Sequence, residues 1–259
     1  MRRLTALVIC ILLVLASFAS CGKEMTAYEL VSSAVEKSSS LNDIELEQKV
    51  DMKLDMMGMS MDIPITMTMK GKSINTDSPI LYSDITTSMM GTTVDSIVYI
   101  ESGYVYLTTL GESYKMSLSE VADEYDIGKD LTAVFYCPGE SVFEGVEAVK
   151  NEDGSRTVTL VMTQEDYIAA YRPYYDSLMG EIGLDGDASL SDISVSLTVN
   201  KDGYLSTYKM SCAIAMTLTE MGMDVAVTAT IDTEINFVNI GGNVTITPPE
   251  GYQGFTALE

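Results

Sequence analysis

The stretch "MKLDMMGMSMDIPITMTMK", residues 52–70, carries seven of the chain's 18 methionines. Its parity decides the fold. From Ile44 the even positions are Ile44, Leu46, Gln48, Val50, Met52, Leu54 and Met56, all apolar but one. The odd positions are Glu45, Glu47, Lys49, Asp51, Lys53 and Asp55. Such alternation marks a strand with one buried face. After Met57-Gly58 the parity flips, and Met59, Met61, Ile63, Ile65, Met67 and Met69 become the apolar set. A two-residue turn using glycine's free backbone produces that flip, so a long hairpin is expected here. In this register Met52, Leu54 and Met56 share an interior with Met59, Met61 and Ile63. Lys53 and Asp55 then face water, and a one-residue slip would bury both. Pro64 falls on the outward face and lacks an N–H, which predicts an edge or a bulge there.

The same device recurs near the other end of the chain. Tyr208, Met210, Cys212, Ile214, Met216 and Leu218 form one apolar set. After Met221-Gly222 the set continues as Met223, Val225, Val227, Ala229, Ile231, Ile235 and Phe237. Shorter strands are expected between the two hairpins, with turns at Ser102-Gly103, Gly111-Glu112, Asp153-Gly154 and Asp202-Gly203. "NVTITPPEGY" reads as a last strand ended by Pro248-Pro249. A helix is expected from Met25 on, with Thr26 and Glu29 forming a capping box and Leu30, Val31, Ala34 and Val35 its apolar stripe. A second helix is capped by Thr163 and interrupted at Pro173, and a minor one lies around "SEVADEY". Few connections read as strand-helix-strand crossovers. The class is α+β with about ten or eleven mostly antiparallel strands.

The 259 residues hold 38 acidic and 15 basic side chains, a net charge of −23. That field disfavours nucleic acid and anionic membrane surfaces as partners. The chain has no histidine and no tryptophan. Without histidine there is no Ser-His-Asp or Cys-His relay, and zinc would need cysteine and carboxylate alone. The chain therefore reads as a non-enzyme with no cofactor.

The N-terminus "MRRLTALVICILLVLASFASCGK" has a basic start, an apolar run from Leu4 to Phe18 and small residues before Cys21. This is the layout of a secretory signal. "FASC" resembles the bacterial lipobox, with Phe18 where leucine is usual. The resemblance implies cleavage after residue 20, diacylation of Cys21 and a site on the extracytoplasmic face of the cell membrane. Loss of Arg2 and Arg3 leaves 13 basic against 38 acidic residues, or −25. The expected order is a signal at 1–20, an acylated start and short linker at 21–25, one domain at 26–252 and a tail at 253–259. Cys137 and Cys212 remain, able to pair outside the cell or to stay as free thiols.

Lipobox, early helix, long meandering strands, "SGYVYLTT…YKM", "VNKDGYLSTYKMSCAIAMT" and "NVTITPPEGY" together resemble the LolA-like superfamily of lipoprotein carriers. The likeness includes the branch of mycobacterial lipid-carrying lipoproteins, and it covers roughly residues 25 to 252. It implies a strongly curved antiparallel half-barrel whose concave face is covered by helices and encloses an apolar cavity.

The candidate cavity wall is Met52, Leu54, Met56, Met59, Met61, Ile63, Ile65, Met67 and Met69 from the first hairpin. The second adds Met210, Ile214, Met216, Leu218, Met223, Val225 and Val227. Thioethers are soft and unbranched, which suits a pliable wall for a lipid or other apolar molecule, and equally a plain core. Met59, Met61, Met67 and Met69 also have the softness that Cu(I) prefers, but their alternation with isoleucine continues an apolar face. A module for an envelope protein partner, using the sheet as scaffold, is the other reading. Asp185, Asp187 and Asp192 miss the EF-hand spacing and read as a solvated loop. Glu120, Asp123, Glu124 and Asp126 read as a solvated helix face. Tyr167, Tyr171, Tyr174 and Tyr175 read as a stripe packed on the sheet.

Overall fold

A computed structural model describes residues 25–76, 78–119, 135–170, 188–220 and 223–258. The signal segment, Cys21, Glu120 to Asp126, Tyr171 to Asp187 and Met221-Gly222 lie outside the described residues. Helix α1 (Ala27–Ser39) begins as its sequence dictates. Glu29 N–H donates to Thr26 Oγ1 at 3.1 Å, and Thr26 N–H donates to Glu29 Oε2 at 2.8 Å. Leu30, Val31, Ala34 and Val35 are all buried. Residues 164–170 are also helical, and Thr163 Oγ1 accepts from Asp166 N–H at 3.1 Å.

The strands are β1 (Ile44–Met56), β2 (Met59–Lys72), β3 (Ile80–Met89), β4 (Thr92–Glu101), β5 (Tyr104–Thr109) and β6 (Glu112–Ser117). They continue as β7 (Val149–Lys150), β8 (Arg156–Met162), β9 (Ser189–Val199), β10 (Leu205–Glu220), β11 (Met223–Val238) and β12 (Thr256–Ala257). All twelve form one open sheet ordered β12-β6-β5-β4-β3-β2-β1-β11-β10-β9-β8-β7. Every pairing is antiparallel except β12 with β6. The two long hairpins meet at the centre, where β1 pairs with β11 from Glu45↔Val238 to Met56↔Val227.

The register agrees with the parity argument. Met52 pairs with Ile63 and Leu54 with Met61, while Lys53 and Asp55 are exposed. β2 passes Pro64 without a register shift. Its ladder with β3 starts only at Ile65↔Thr87, so Pro64 falls just beyond the paired stretch on that side, where its missing N–H breaks no ladder pair.

Three strand readings are corrected. β3 and its Met90-Gly91 turn were not expected, because Ser and Thr on both faces of "SDITTSM" blur the alternation. Residues 243–249 join no strand ladder among the described residues, since a segment holding Pro248-Pro249 is a poor ladder donor. The final strand is instead β12, which falls in the expected tail and pairs with Tyr114 and Lys115 of β6. Asp192 is not in a loop: it stands in β9 with φ 53°, at a break in the β9–β10 register. The β5–β6 turn is Leu110-Gly111, one residue earlier than expected.

The main core lies between α1 and the apolar face of β8–β11, β1 and β2. Val31, Leu46, Val158, Leu160, Val195 and Leu197 are fully buried there, each contributing about 1.5–3 kcal/mol. Phe143 packs edge-on to Tyr28 at 5.5 Å, and Phe135 stacks on Phe237 at 5.3 Å. Leu81, Ile100 and Val105 form a smaller core on the same face. On the opposite face Tyr252 packs edge-on against Tyr99 and Tyr106 and donates its hydroxyl to Glu101 at 2.8 Å. The chain beyond β11 thus reaches the far edge of the sheet, past six strands.

Candidate ligand-binding face

Register places the expected wall on one face. Leu46, Met52, Leu54 and Met56 oppose Met69, Ile63, Met61 and Met59 on β2. They also oppose Phe237, Ile231, Ala229 and Val227 on β11. Cys212, Ile214 and Met216 extend the row onto β10, and Leu218 and Met223 hold ladder positions opposite Val225 and Glu220. Coverage divides this face. Ile44, Leu46, Met69, Ile235 and Phe237 are buried in the main core. Toward the hairpin tips, Val50, Met52, Leu54, Met56, Met61, Ile63, Ile65 and Met216 are half-buried, and Met59 is exposed. Tyr167 caps part of the β10 row, donating its hydroxyl to Met210 Sδ at 3.3 Å.

The opposite face is polar and self-paired. Lys49 bridges Asp51 at 2.6 Å, Lys70 bridges Glu45 at 3.3 Å and Lys209 bridges Glu234 at 3.0 Å. Asn236 and Lys209, both donating to Glu234, hold its carboxyl below the usual range. A groove of about 510 Å³ runs along this side, lined by Glu47, Lys49, Thr66, Thr68, Asp84, Thr86, Glu234 and Asn236. A second of about 280 Å³ lies beside Asp51, Ser194, Ser196, Lys209 and Asp232. Of the expected wall only Met67 reaches the first groove and only Met210 the second. Sequence reasoning gave these grooves no role; the odd-numbered charges of β1 were their only signal.

Cys137 and Cys212 are free thiols. Burial pushes Cys137 up to about 11, and burial followed by Asp232 raises Cys212. Among the described residues no group of three His, Cys, Asp or Glu could hold a metal. No described helix is long and apolar enough to cross a membrane.

No family model and no curated protein matches the chain. Among solved structures, LprF from Mycobacterium bovis is similar at 15% identity, covering 87% of this chain and 97% of its own, with a TM-score of 0.44. A DUF1329 family protein from Desulfovibrio piger is 12% identical over 84% of this chain and 92% of its own, with a TM-score of 0.25. The ywiB protein from Bacillus subtilis is 12% identical over 76% and 96%, with a TM-score of 0.21. Scores this low establish neither a family nor a shared ligand.

Proposed function

We propose that this chain is a membrane-anchored extracytoplasmic lipoprotein, acylated at Cys21, that holds a lipid or other apolar molecule against its Met-rich face. In this reading the sheet curves into a half-barrel around the ligand, and the protein is not an enzyme. The supporting observation is the apolar row from Val50 to Ile65 and across to Met216. It continues the core face yet its β1, β2 and β10 members are only half-buried among the described residues, around a buried Val227 and Ala229 on β11. Half-exposed methionines in a continuous row supply a soft apolar surface of adjustable shape.

Native mass spectrometry of the purified full chain should reveal copurified lipid. Replacing Met59, Met61, Met67 and Met69 together by leucine should leave lipid binding largely intact, because such swaps cost less than about 1.5 kcal/mol. Met61→Gln should weaken it by placing an unpaired amide on the face. Cu(I) handling would give the opposite ranking, with the leucine variant losing the metal. Cu(I) bound by the parent alone, with no lipid on either protein, would refute the lipid reading. Cys21→Ser should leave an unprocessed precursor or release the protein from membranes, and normal processing would refute the anchor.

A further inference from the structure

The two ends of the sheet carry different turn chemistry. At one end the chain reverses through Ser102-Gly103, Asn151–Ser155 and Asn200–Tyr204. The last two are tied by their own side chains: Asp153 Oδ1 accepts from Ser155 N–H, and Asn200 Oδ1 accepts from the N–H of Asp202 and of Tyr204. At the other end the reversals are Met57-Gly58, Met90-Gly91 and Leu110-Gly111, with Met221-Gly222 outside the described residues. Met57, Met90 and Leu110 hold φ of 53°, 52° and 52°, a left-handed geometry that Asn or Asp adopts more easily. Their side chains are 70%, 83% and 75% exposed. Apolar residues thus stand in water at positions where turn chemistry favours polar ones.

Register staggers these tips by a constant step. β11 runs four residues, Met223–Ala226, past the Met56↔Val227 pair that ends β1. β2 runs four, Met59–Asp62, past the level of Met89, the end of β3. β4 runs four, Thr92–Asp95, past the Ser96↔Thr109 pair that ends β5. Each hairpin steps back by the same amount, about 13 Å along the strands for about 10 Å across two of them. Successive tips are therefore offset alike, by about 16 Å measured along the sheet surface.

Apolar groups split over separate tips, Met57 with Met59, Met89 with Met90, and Leu110, do not form the one central packed cluster in which a protein partner's binding energy concentrates. They suit a fluid surface that demands no shape match. The surrounding charge narrows the surface further. Asp55, Asp62, Asp95 and Glu112 are exposed around the tips, against two cations at like distance on these strands, Lys53 and the Lys115 that lies over the Tyr104 ring. That collar repels anionic headgroups and complements the trimethylammonium of a choline headgroup.

We propose that the Met57, Met90 and Leu110 turns form a membrane contact that enters the interface of a zwitterionic bilayer, separate from the N-terminal anchor. It stands whether or not the Met-rich face holds a ligand. The full chain is reconstituted in phosphatidylcholine vesicles with a benzophenone amino acid in place of Met57, Met90 or Leu110, and separately in place of Ser102 or Asp153. Lipid adducts at the first three positions should exceed those at the last two by about five-fold. Phosphatidylglycerol vesicles should give fewer. Equal yields at both ends, tip adducts only to a second copy of the chain, or more adducts with phosphatidylglycerol would overturn the proposal. Asparagine suits the same turns, so the triple variant Met57→Asn, Met90→Asn, Leu110→Asn should fold. With the probe in place of Met59, that variant should lose most of the lipid adduct seen in the parent background. An unchanged yield would overturn the proposal independently.

Discussion

Ser38, at the last turn of α1, is 1% exposed, and its Oγ accepts the N–H of Leu205 at 2.9 Å. That bond ties the helix to the first residue of β10 and satisfies a backbone donor that has left water. Ser38→Ala should therefore destabilise the fold by about 1–3 kcal/mol in urea denaturation. Ser33→Ala, on the exposed side of the same helix, should change stability by less than about 0.5 kcal/mol. Cys137 offers a pH test. Burial disfavours its thiolate and raises the thiol to about 11. Its alkylation, followed site by site by mass spectrometry, should be slow at pH 8 and climb toward pH 11. The same shift makes a stability contribution that is present below the ordinary thiol pKa and lost as pH rises through the folded value. A midpoint near that of a free thiol would contradict this burial. The sequence showed two cysteines but not their surroundings, because burial depends on which distant strands cover them.

At the level of elements, local chemistry was most legible where it was redundant. The Thr26–Glu29 pair and the apolar stripe of α1 specify the same helix, and Thr26→Ala should cost about 1 kcal/mol by thermal or urea melts. The β1–β2 hairpin is defined by parity on both sides of its turn. Gly58 has φ 79° and open space where a Cβ would stand, so Gly58→Ala should be penalised through the backbone alone, by about 1–2 kcal/mol. Met57→Asn should act the other way, raising stability by up to about 1 kcal/mol, because asparagine accepts the left-handed geometry more readily. Loss of stability in Met57→Asn would show that this methionine makes a contact beyond the turn. β3 was missed for the converse reason. "MMGT" at Met89–Thr92 repeats the signal of Met57-Gly58, yet the strand before it mixes Ser and Thr on both faces, so parity was uninformative.

Across the whole molecule, the last residues close one edge of the sheet. β12 pairs with β6, Leu258 N–H donates to the carbonyl of Lys115 at 3.0 Å, and Phe255 packs on Tyr106 at 6.1 Å. Deleting residues 252–259 would bare the backbone groups of β6 together with Tyr99 and Tyr106. An exposed edge of that kind templates further pairing, so the truncated chain should self-associate, read by light scattering against the parent. A monodisperse, equally stable truncation would show that β6 needs no cover.

The sequence by itself determined the two long hairpins, their buried and solvated sides and the caps of both helices. Each of these is written in neighbours a few residues apart, where period and turn chemistry act directly. Only the tertiary structure decided that β1 and β11 meet at the centre of the sheet, that the C-terminal strand crosses to its edge, and that the apolar turns share one end of the sheet. Those outcomes depend on pairings between residues up to about two hundred positions apart. Many registers satisfy the same local alternation, and the choice among them is made by the burial that the whole sheet achieves at once.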